Sequence, residues 1–139
     1  MKVCVFDYKS GNTFSLISRL KKLGFEPVLS NDLFDWINAD LIVFPGVGHA
    51  TKVMEFINKT ELKDWIQKYP KPILGICLGM QILCSFSEEG NTDCLGVFDS
   101  KIIRFDDKIK SPNMGWIYLN SGIDYPFEFE GWFYFVHSY

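Results

Sequence analysis

One cysteine in this chain lies in a sequence that is typical of a catalytic nucleophile. Residues 71–83 begin as an apolar run, reach Cys77 between Gly75 and Gly79, and continue at once in helix-forming residues. A strand that turns sharply into a helix needs glycine two residues before and after the nucleophile, because side chains there would collide. The helix N-terminus favours the thiolate over the thiol. The spacing therefore predicts attack by Cys77 on a carbonyl carbon.

Two backbone N–H groups are predicted to stabilise the oxyanion that such an attack creates. One belongs to Leu78, directly after the nucleophile. The other, most simply that of Val47, belongs to the loop 45–48, which follows a fully apolar run. Gly46 and Gly48 in this loop would let the main chain approach a small substrate closely. An ordinary tight turn after a strand is the alternative interpretation of this loop.

Composition and charge exclude several other functions. With 139 residues, 47% of them hydrophobic and 22% charged, the chain is expected to form one globular domain over 1–139. The net charge of −3 does not favour binding to the negatively charged backbone of nucleic acid. The N-terminus is charged too early for a signal peptide, and no apolar run reaches membrane-spanning length. We therefore expect a cytoplasmic protein with reduced thiols.

Neither a metal nor a nucleotide cofactor is predicted. The four cysteines include no Cys-x-x-Cys pair, and only two histidines accompany them, so a zinc site is not indicated. The loop 45–48 is too short for a Walker motif and lacks the remainder of a dinucleotide fingerprint.

The elements that position these residues alternate between strand and helix over the first part of the chain. Predicted strands cover 2–6, 25–30, 41–44 and the run before Cys77; predicted helices cover 12–23, 32–37, 52–69 with a break near 58–60, and Cys77 to about Phe86. This order is typical of βαβ units with right-handed crossovers. The predicted fold is α/β, with a mostly parallel, doubly wound sheet around a flavodoxin-like core.

The pattern changes after residue 90. Strands are predicted at 96–105, 116–119 and 132–136 without helices between them, which indicates a small antiparallel extension of the sheet. The two glycine-bearing loops would both lie at the carboxyl ends of neighbouring parallel strands, where open α/β sheets bind their ligands.

Five further segments, taken with the sharp strand-to-helix turn at Cys77 (the elbow), resemble one family. The run Gly75-Ile76-Cys77-Leu78-Gly79-Met80-Gln81 resembles the nucleophile motif of class I (triad-type) glutamine amidotransferases. A narrower resemblance, to the glutaminase subunits of imidazole glycerol phosphate synthases, is carried by Asp7-Tyr8-x-x-Gly11-Asn12-x-x-Ser15, Pro45-Gly46-Val47-Gly48, Ser87-Glu88-Glu89-Gly90, Met114-Gly115-Trp116 and Phe135-Val136-His137-Ser138-Tyr139. Those subunits usually have His before Met-Gly-Trp and Asn after it, whereas this chain has Asn113 and Ile117. A subunit that supplies a different synthase, such as a surface-sugar amidotransferase, therefore stays open.

The resemblance implies hydrolysis of glutamine to glutamate and ammonia through a thioester on Cys77, with the Val47 and Leu78 amides as the oxyanion hole and no cofactor. The implied substrate-binding residues are Gly46, Gly48, Gln81, His137, Ser138 and Tyr139. It also implies a heterodimer, in which ammonia passes to a (β/α)₈-barrel cyclase that faces Asn12 and Trp116. From the residues alone, Trp116 fits a core position equally well.

A redox or chaperone-like protein with the same elbow is the alternative from a different class. The loop 45–48 and Gln81 favour the glutaminase, because glutamine recognition needs both and a redox thiol needs neither. The remaining candidates have simpler interpretations. We expect His49 and His137 to be structural or pocket-wall residues, Cys84 to be core, and the neighbouring carboxylates of Glu88-Glu89 and Asp106-Asp107 to be solvated.

We expect the 139-residue chain to lack a working catalytic triad. A cysteine nucleophile needs a base and an orienting carboxylate, and in the resembling family these belong to a later His-x-Glu motif. Neither His49 nor His137 is followed two residues later by an acid, so we interpret the chain as the N-terminal portion of a longer amidotransferase. Purified chain, with its synthase partner, should release no more glutamate from glutamine than a Cys77→Ser control. Glutamate release above that control would instead make His137 the base.

Overall fold

The computed structural model describes residues 1–9, 12–106, 108, 110–121 and 128–139. These residues form two compact units, Met1–Ile103 and Arg104–Tyr139. The expectation of one domain over 1–139 stays a prediction. Expectations that involve Gly11 and Asp107 lie outside the described residues.

A four-stranded parallel sheet forms the centre of the first unit. Its strands are β1 (Lys2–Phe6), β2 (Glu26–Ser30), β3 (Leu41–Phe44) and β4 (Ile73–Gly75), in the spatial order β2-β1-β3-β4. The inner position of β3 agrees with its apolar sequence, since Ile42, Val43 and Phe44 are all fully buried. Strand β2 lies on one side of β1, and β3 lies on the other. The strand order therefore reverses at β1, which makes β1 the topological switch point of the sheet.

Helices cover both faces of this sheet. They are α1 (Phe14–Lys22), α2 (Leu33–Asn38), α3 (Ala50–Ile57), α4 (Leu62–Ile66) and α5 (Leu78–Gln81). Alternate strand residues enter two separate core clusters: Val3, Val5 and Val43 pack with Leu20 of α1, while Cys4, Phe6, Ile42 and Phe44 pack with buried residues of the other four helices. The doubly wound α/β fold is thus confirmed, as is the break between α3 and α4.

The helix after Cys77 is shorter than its sequence predicts. Extension to Phe86 was wrong, because α5 ends at Gln81. The carbonyl oxygens of the following turn accept hydrogen bonds from a distant segment: Ile82 from Leu95, Leu83 from Phe98 and Cys84 from Gly96. These carbonyls are therefore unavailable to a continuing helix.

Short strands and one hairpin complete the described fold. Strands β5 (Phe86–Ser87), β6 (Thr92–Asp93) and β7 (Lys101–Ile102) form a small sheet in which β5 is antiparallel to β6. The strand predicted over 96–105 is therefore limited to β7. In the second unit, β8 (Asn113–Asn120) and β9 (Glu130–His137) form an antiparallel hairpin, with Asn113 opposite His137.

Candidate functional site

Cys77 occupies a strained turn between β4 and α5. Its backbone torsions are φ 48° and ψ −113°, a combination that residues with a side chain rarely adopt. Its thiol is free and the residue is exposed. This is the geometry of a nucleophile elbow, as the glycine spacing predicted.

The glycines on either side of Cys77 are required by close packing of the main chain. A β-carbon on Gly75 would lie 2.5 Å from the Cα of Met80, and one on Gly79 would overlap the carbonyl oxygen of Phe44. The end of β3 thus packs directly against the first turn of α5. Any larger residue at either position would open the elbow.

The loop 45–48 lies against Cys77, so the structure brings together the two loops singled out by sequence. A β-carbon on Gly46 would lie 2.7 Å from the carbonyl oxygen of Ile76 and 2.9 Å from the Cβ of Cys77. Gly48 has φ 111°, a conformation that favours glycine. Both loops follow the carboxyl ends of adjacent strands on one side of the switch point.

Leu78, whose N–H was predicted to stabilise an oxyanion, directly follows Cys77 at the start of α5. It is the first residue of α5, and the first N–H groups of a helix have no partner within the helix. The neighbouring N–H groups are used: Gly79 donates to Ile76 at 2.8 Å and Gln81 to Cys77 at 3.0 Å. Because α5 has only four residues, it carries little helix dipole. Gln81 is buried on this turn.

Glu89 contacts the residues that follow the loop 45–48, a contact that sequence reasoning missed. Its Oε2 accepts a hydrogen bond of 2.7 Å from the backbone N–H of Ala50, the first residue of α3, so its interpretation as a solvated carboxylate was wrong. Its Oε1 lies 4.0 Å from Nε2 of His49. Its place in the Ser87-Glu88-Glu89-Gly90 motif was the sequence signal that could have indicated such a contact.

His49 caps α3. Its Nδ1 accepts a hydrogen bond of 3.3 Å from the N–H of Thr51, so in the neutral imidazole the proton is on Nε2, which faces Glu89. The lone pair that a general base would need is therefore already used.

His137 is held by hydrogen bonds at both ring nitrogens. Its Nδ1 donates to the main-chain oxygen of Tyr139 at 3.0 Å, because that oxygen can only accept. Nε2 of the neutral ring then accepts from the Nδ2 of Asn113 at 3.1 Å. The N–H of Phe105 donates to the carbonyl oxygen of Ser138 at 3.0 Å. These bonds fix the segment 137–139 within the second unit, and they give His137 a structural role.

The two residues predicted to face a partner are both exposed. Asn12 accepts a hydrogen bond of 3.0 Å from the N–H of Phe14, so it fixes the start of α1. Trp116 is 65% exposed on the hairpin and packs edge-on against Tyr134, with ring centroids 5.4 Å apart. Trp116 is therefore not a core residue of the described structure.

The other three cysteines are buried and differ chemically from Cys77. Burial, together with the charge of Asp35, raises the pKa of Cys4 to about 12. Burial is also the main cause that raises the pKa of Cys94 to about 11, and it raises the pKa of Cys84. These groups therefore stay as thiols near neutral pH.

Other features of the described residues do not add to the site. No group of three His, Cys, Asp or Glu side chains among them is arranged to hold a metal ion. A cavity of about 280 Å³ lies at the opposite, amino-terminal ends of β1 and β2, lined in part by Lys2, Cys4 and Glu26. Within the same described residues, no helix has both the length and the apolar character needed to cross a membrane.

Comparison with known proteins identifies the class to which this fold and site belong. The family model described as Glutamine amidotransferase class-I matches residues 4–119. The chain belongs to the class I glutamine amidotransferase family. A solved structure titled "Crystal structure of glutamine amidotransferase" superposes with a TM-score of 0.70 at 18% identity, over 95% of this chain and 70% of that one, which supports the fold.

Curated relatives narrow the comparison to one kind of subunit. The Imidazole glycerol phosphate synthase subunit HisH of Bacteroides fragilis is 43% identical over 145 residues, which cover 100% of this chain and 74% of the relative. HisH 2 of Campylobacter jejuni is 42% identical over 142 residues, covering 100% and 73%. HisH of Methanopyrus kandleri is 40% identical over 143 residues, covering 100% and 72%.

Native labelling should modify one thiol per chain. At pH 7.5 a small alkylating reagent should react with Cys77, because Cys4, Cys84 and Cys94 are buried and protonated. Mass spectrometry of the alkylated chain should find a single adduct before unfolding and four after it. Cys77→Ser is the control, and it should give no rapid native adduct. Rapid native labelling of Cys4 or Cys94 would contradict this burial.

Proposed function

We propose that this protein is the glutaminase subunit of an imidazole glycerol phosphate synthase, in which it releases ammonia from glutamine for histidine biosynthesis. The observation that carries the proposal is the exposed Cys77 at positive φ, with the glycine-bearing loop 45–48 packed against it. The relatives named as subunits of this synthase support the choice of synthase.

In the proposed reaction, the thiolate of Cys77 attacks the γ-carboxamide carbon of glutamine. The carbonyl oxygen becomes an oxyanion, which accepts hydrogen bonds from the N–H groups of Leu78 and Val47. The C–N bond then breaks as the nitrogen takes up the proton that the Cys77 thiol gave up, and it leaves as ammonia. Water hydrolyses the remaining thioester to glutamate and the free thiol. The hydrogen bonds at His49 and His137 support the view that neither is the base.

Glutamine is proposed to bind beside the elbow. The main chain at Gly46 and Gly48 is proposed to approach its carboxamide closely, and Gln81 on the first turn after Cys77 is proposed to contact it. The ordered segment His137-Ser138-Tyr139 is proposed to contribute further contacts. This assignment follows the family motifs, and the hydrogen bonds that fix the segment internally are compatible with a binding role.

Ammonia is proposed to pass to a (β/α)₈-barrel cyclase subunit in a cytoplasmic heterodimer. Direct transfer would keep ammonia from being protonated in bulk water, where it would lose its nucleophilicity. Asn12 and Trp116 are proposed to face that partner, and the exposure of both residues supports this.

A subunit that supplies a different synthase is the second candidate. It is favoured by the two residues beside the Met114-Gly115-Trp116 motif, Asn113 and Ile117, which differ from the His and Asn that the synthase subunits usually have there. Asn113 is bonded to His137 within the hairpin unit, so this departure changes an internal contact. Ile117 lies in β8 and is part of the hairpin itself.

Protection of Cys77 by glutamine tests the proposed activity. A diazo-ketone analogue of glutamine should alkylate Cys77, and millimolar glutamine should slow this labelling at least tenfold, because both ligands occupy the same site. Peptide mass spectrometry identifies the labelled cysteine. Glutamate serves as a weaker competitor, and Cys77→Ser as the blank. Equal labelling with and without glutamine would reject the glutaminase and favour a redox or chaperone-like thiol.

Replacement of the exposed tryptophan tests the partner surface. Trp116→Ala should weaken association with the cyclase subunit by about 2 kcal/mol or more, since buried aromatic anchors dominate many interfaces. Its melting temperature should change little, because the side chain is 65% exposed in this structure. Phe133→Ala is the control, because residue 133 lies on the opposite face of the same hairpin and is 43% exposed. A large fall in melting temperature with unchanged association would place Trp116 in a core.

A further inference from the structure

The turn that contains Glu89 is joined to the beginning of α3. The Glu89 carboxylate reaches the N–H of Ala50 at 2.7 Å across a separation of 39 residues. Ala50 is fully buried and is the first residue of the helix, so this N–H has no partner within α3. Glu89 therefore satisfies a buried donor that directly follows the loop 45–48.

The same carboxylate also faces the residue before Ala50. Nε2 of His49 lies 4.0 Å from Oε1, while Nδ1 of the same ring accepts from Thr51. Two successive residues after the loop 45–48 are thus held in place. Ala50 is held by its hydrogen bond to Glu89. His49 is held by the hydrogen bond that its Nδ1 accepts from Thr51, with Nε2 facing Glu89. Only Gly48 separates them from Val47.

The position of the carboxylate is set by the fold around it. The hydroxyl of Thr92 donates its proton to the carbonyl oxygen of Glu89 at 2.9 Å. Because that proton is used, the hydroxyl of Thr51 is the donor in the 2.8 Å hydrogen bond between Thr51 and Thr92. The N–H of Glu89 donates to the hydroxyl of Ser87 at 3.1 Å. Gly90 has φ 71°, and a β-carbon there would overlap the Thr51 hydroxyl. The turn and the helix therefore fit together in one arrangement.

We propose that Glu89 is a positioning residue for the oxyanion loop: by holding Ala50, it sets the direction of the Val47 N–H beside Cys77. This inference rests on the proposed glutaminase function. Glu89 acts on the main chain and does not contact the reacting atoms, so its loss should slow the reaction at Cys77 without weakening the binding of glutamine. Oxyanion donors affect rate in this way because their hydrogen bonds strengthen as the charge develops.

The test measures how fast the diazo-ketone glutamine analogue labels Cys77 as its concentration rises. Two quantities result, the limiting labelling rate and the half-saturating concentration. Glu89→Ala removes the acceptor, whereas Glu89→Gln keeps an oxygen that can accept from Ala50. Glu55→Ala is the matched control, because it removes an exposed carboxylate from α3 itself. Thr92→Val provides a second, milder variant that loosens the turn and leaves Glu89 in place.

Glu89→Ala should lower the limiting rate at least tenfold, with the half-saturating concentration within twofold of wild type. Glu89→Gln should recover to within about threefold, Thr92→Val should fall by at least threefold, and Glu55→Ala should match wild type. Circular dichroism identifies any variant that does not fold, in which case Thr92→Val and Glu89→Gln decide the outcome.

Two results would overturn the proposal while leaving the glutaminase function intact. In one, Glu89→Ala labels at the rate of Glu55→Ala. In the other, Glu89→Ala raises the half-saturating concentration at an unchanged limiting rate, which would make Glu89 a substrate contact. Failure of glutamine to suppress labelling of the wild-type chain is a different result. It would reject the proposed function, and the oxyanion role of this loop with it.

Discussion

The active geometry depends on one strained residue whose conformation is fixed by its surroundings. A side-chain-bearing residue at φ 48° costs on the order of 1–3 kcal/mol, so it persists only where packing leaves no alternative. Here the constraint is the contact between the end of β3 and the first turn of α5, where Gly79 meets the carbonyl oxygen of Phe44. The buried interior of the sheet supplies the stability that offsets this strain.

Much of the first unit follows from local sequence. The apolar run 41–44 predicted a central strand, and the glycine spacing around Cys77 predicted the elbow, because both are set by residues close together in the chain. Parallel topology then explains why the loop 45–48 meets Cys77, since parallel strands place their carboxyl ends on the same edge. The family motifs and this geometry therefore point to the same site.

The features that sequence did not predict are set by distant partners. The helix α5 stops early because carbonyl groups of residues 82–84 bond to the segment 95–98, which no local propensity reveals. Glu89 resembled a solvated carboxylate because its partner, the N–H of Ala50, is a main-chain group without a side-chain signature. The hydrogen bond between Asn113 and His137 likewise joins residues that lie opposite each other across the hairpin.

The long separation between Glu89 and Ala50 also bears on how the protein assembles. Residues that pair across 39 positions come together only after the intervening chain has collapsed, and such closures are slow relative to local helix formation. A nascent chain that has reached Cys77 still lacks the carboxylate that accepts from the N–H of Ala50. The contact between Glu89 and Ala50 can therefore form only after synthesis has passed residue 89.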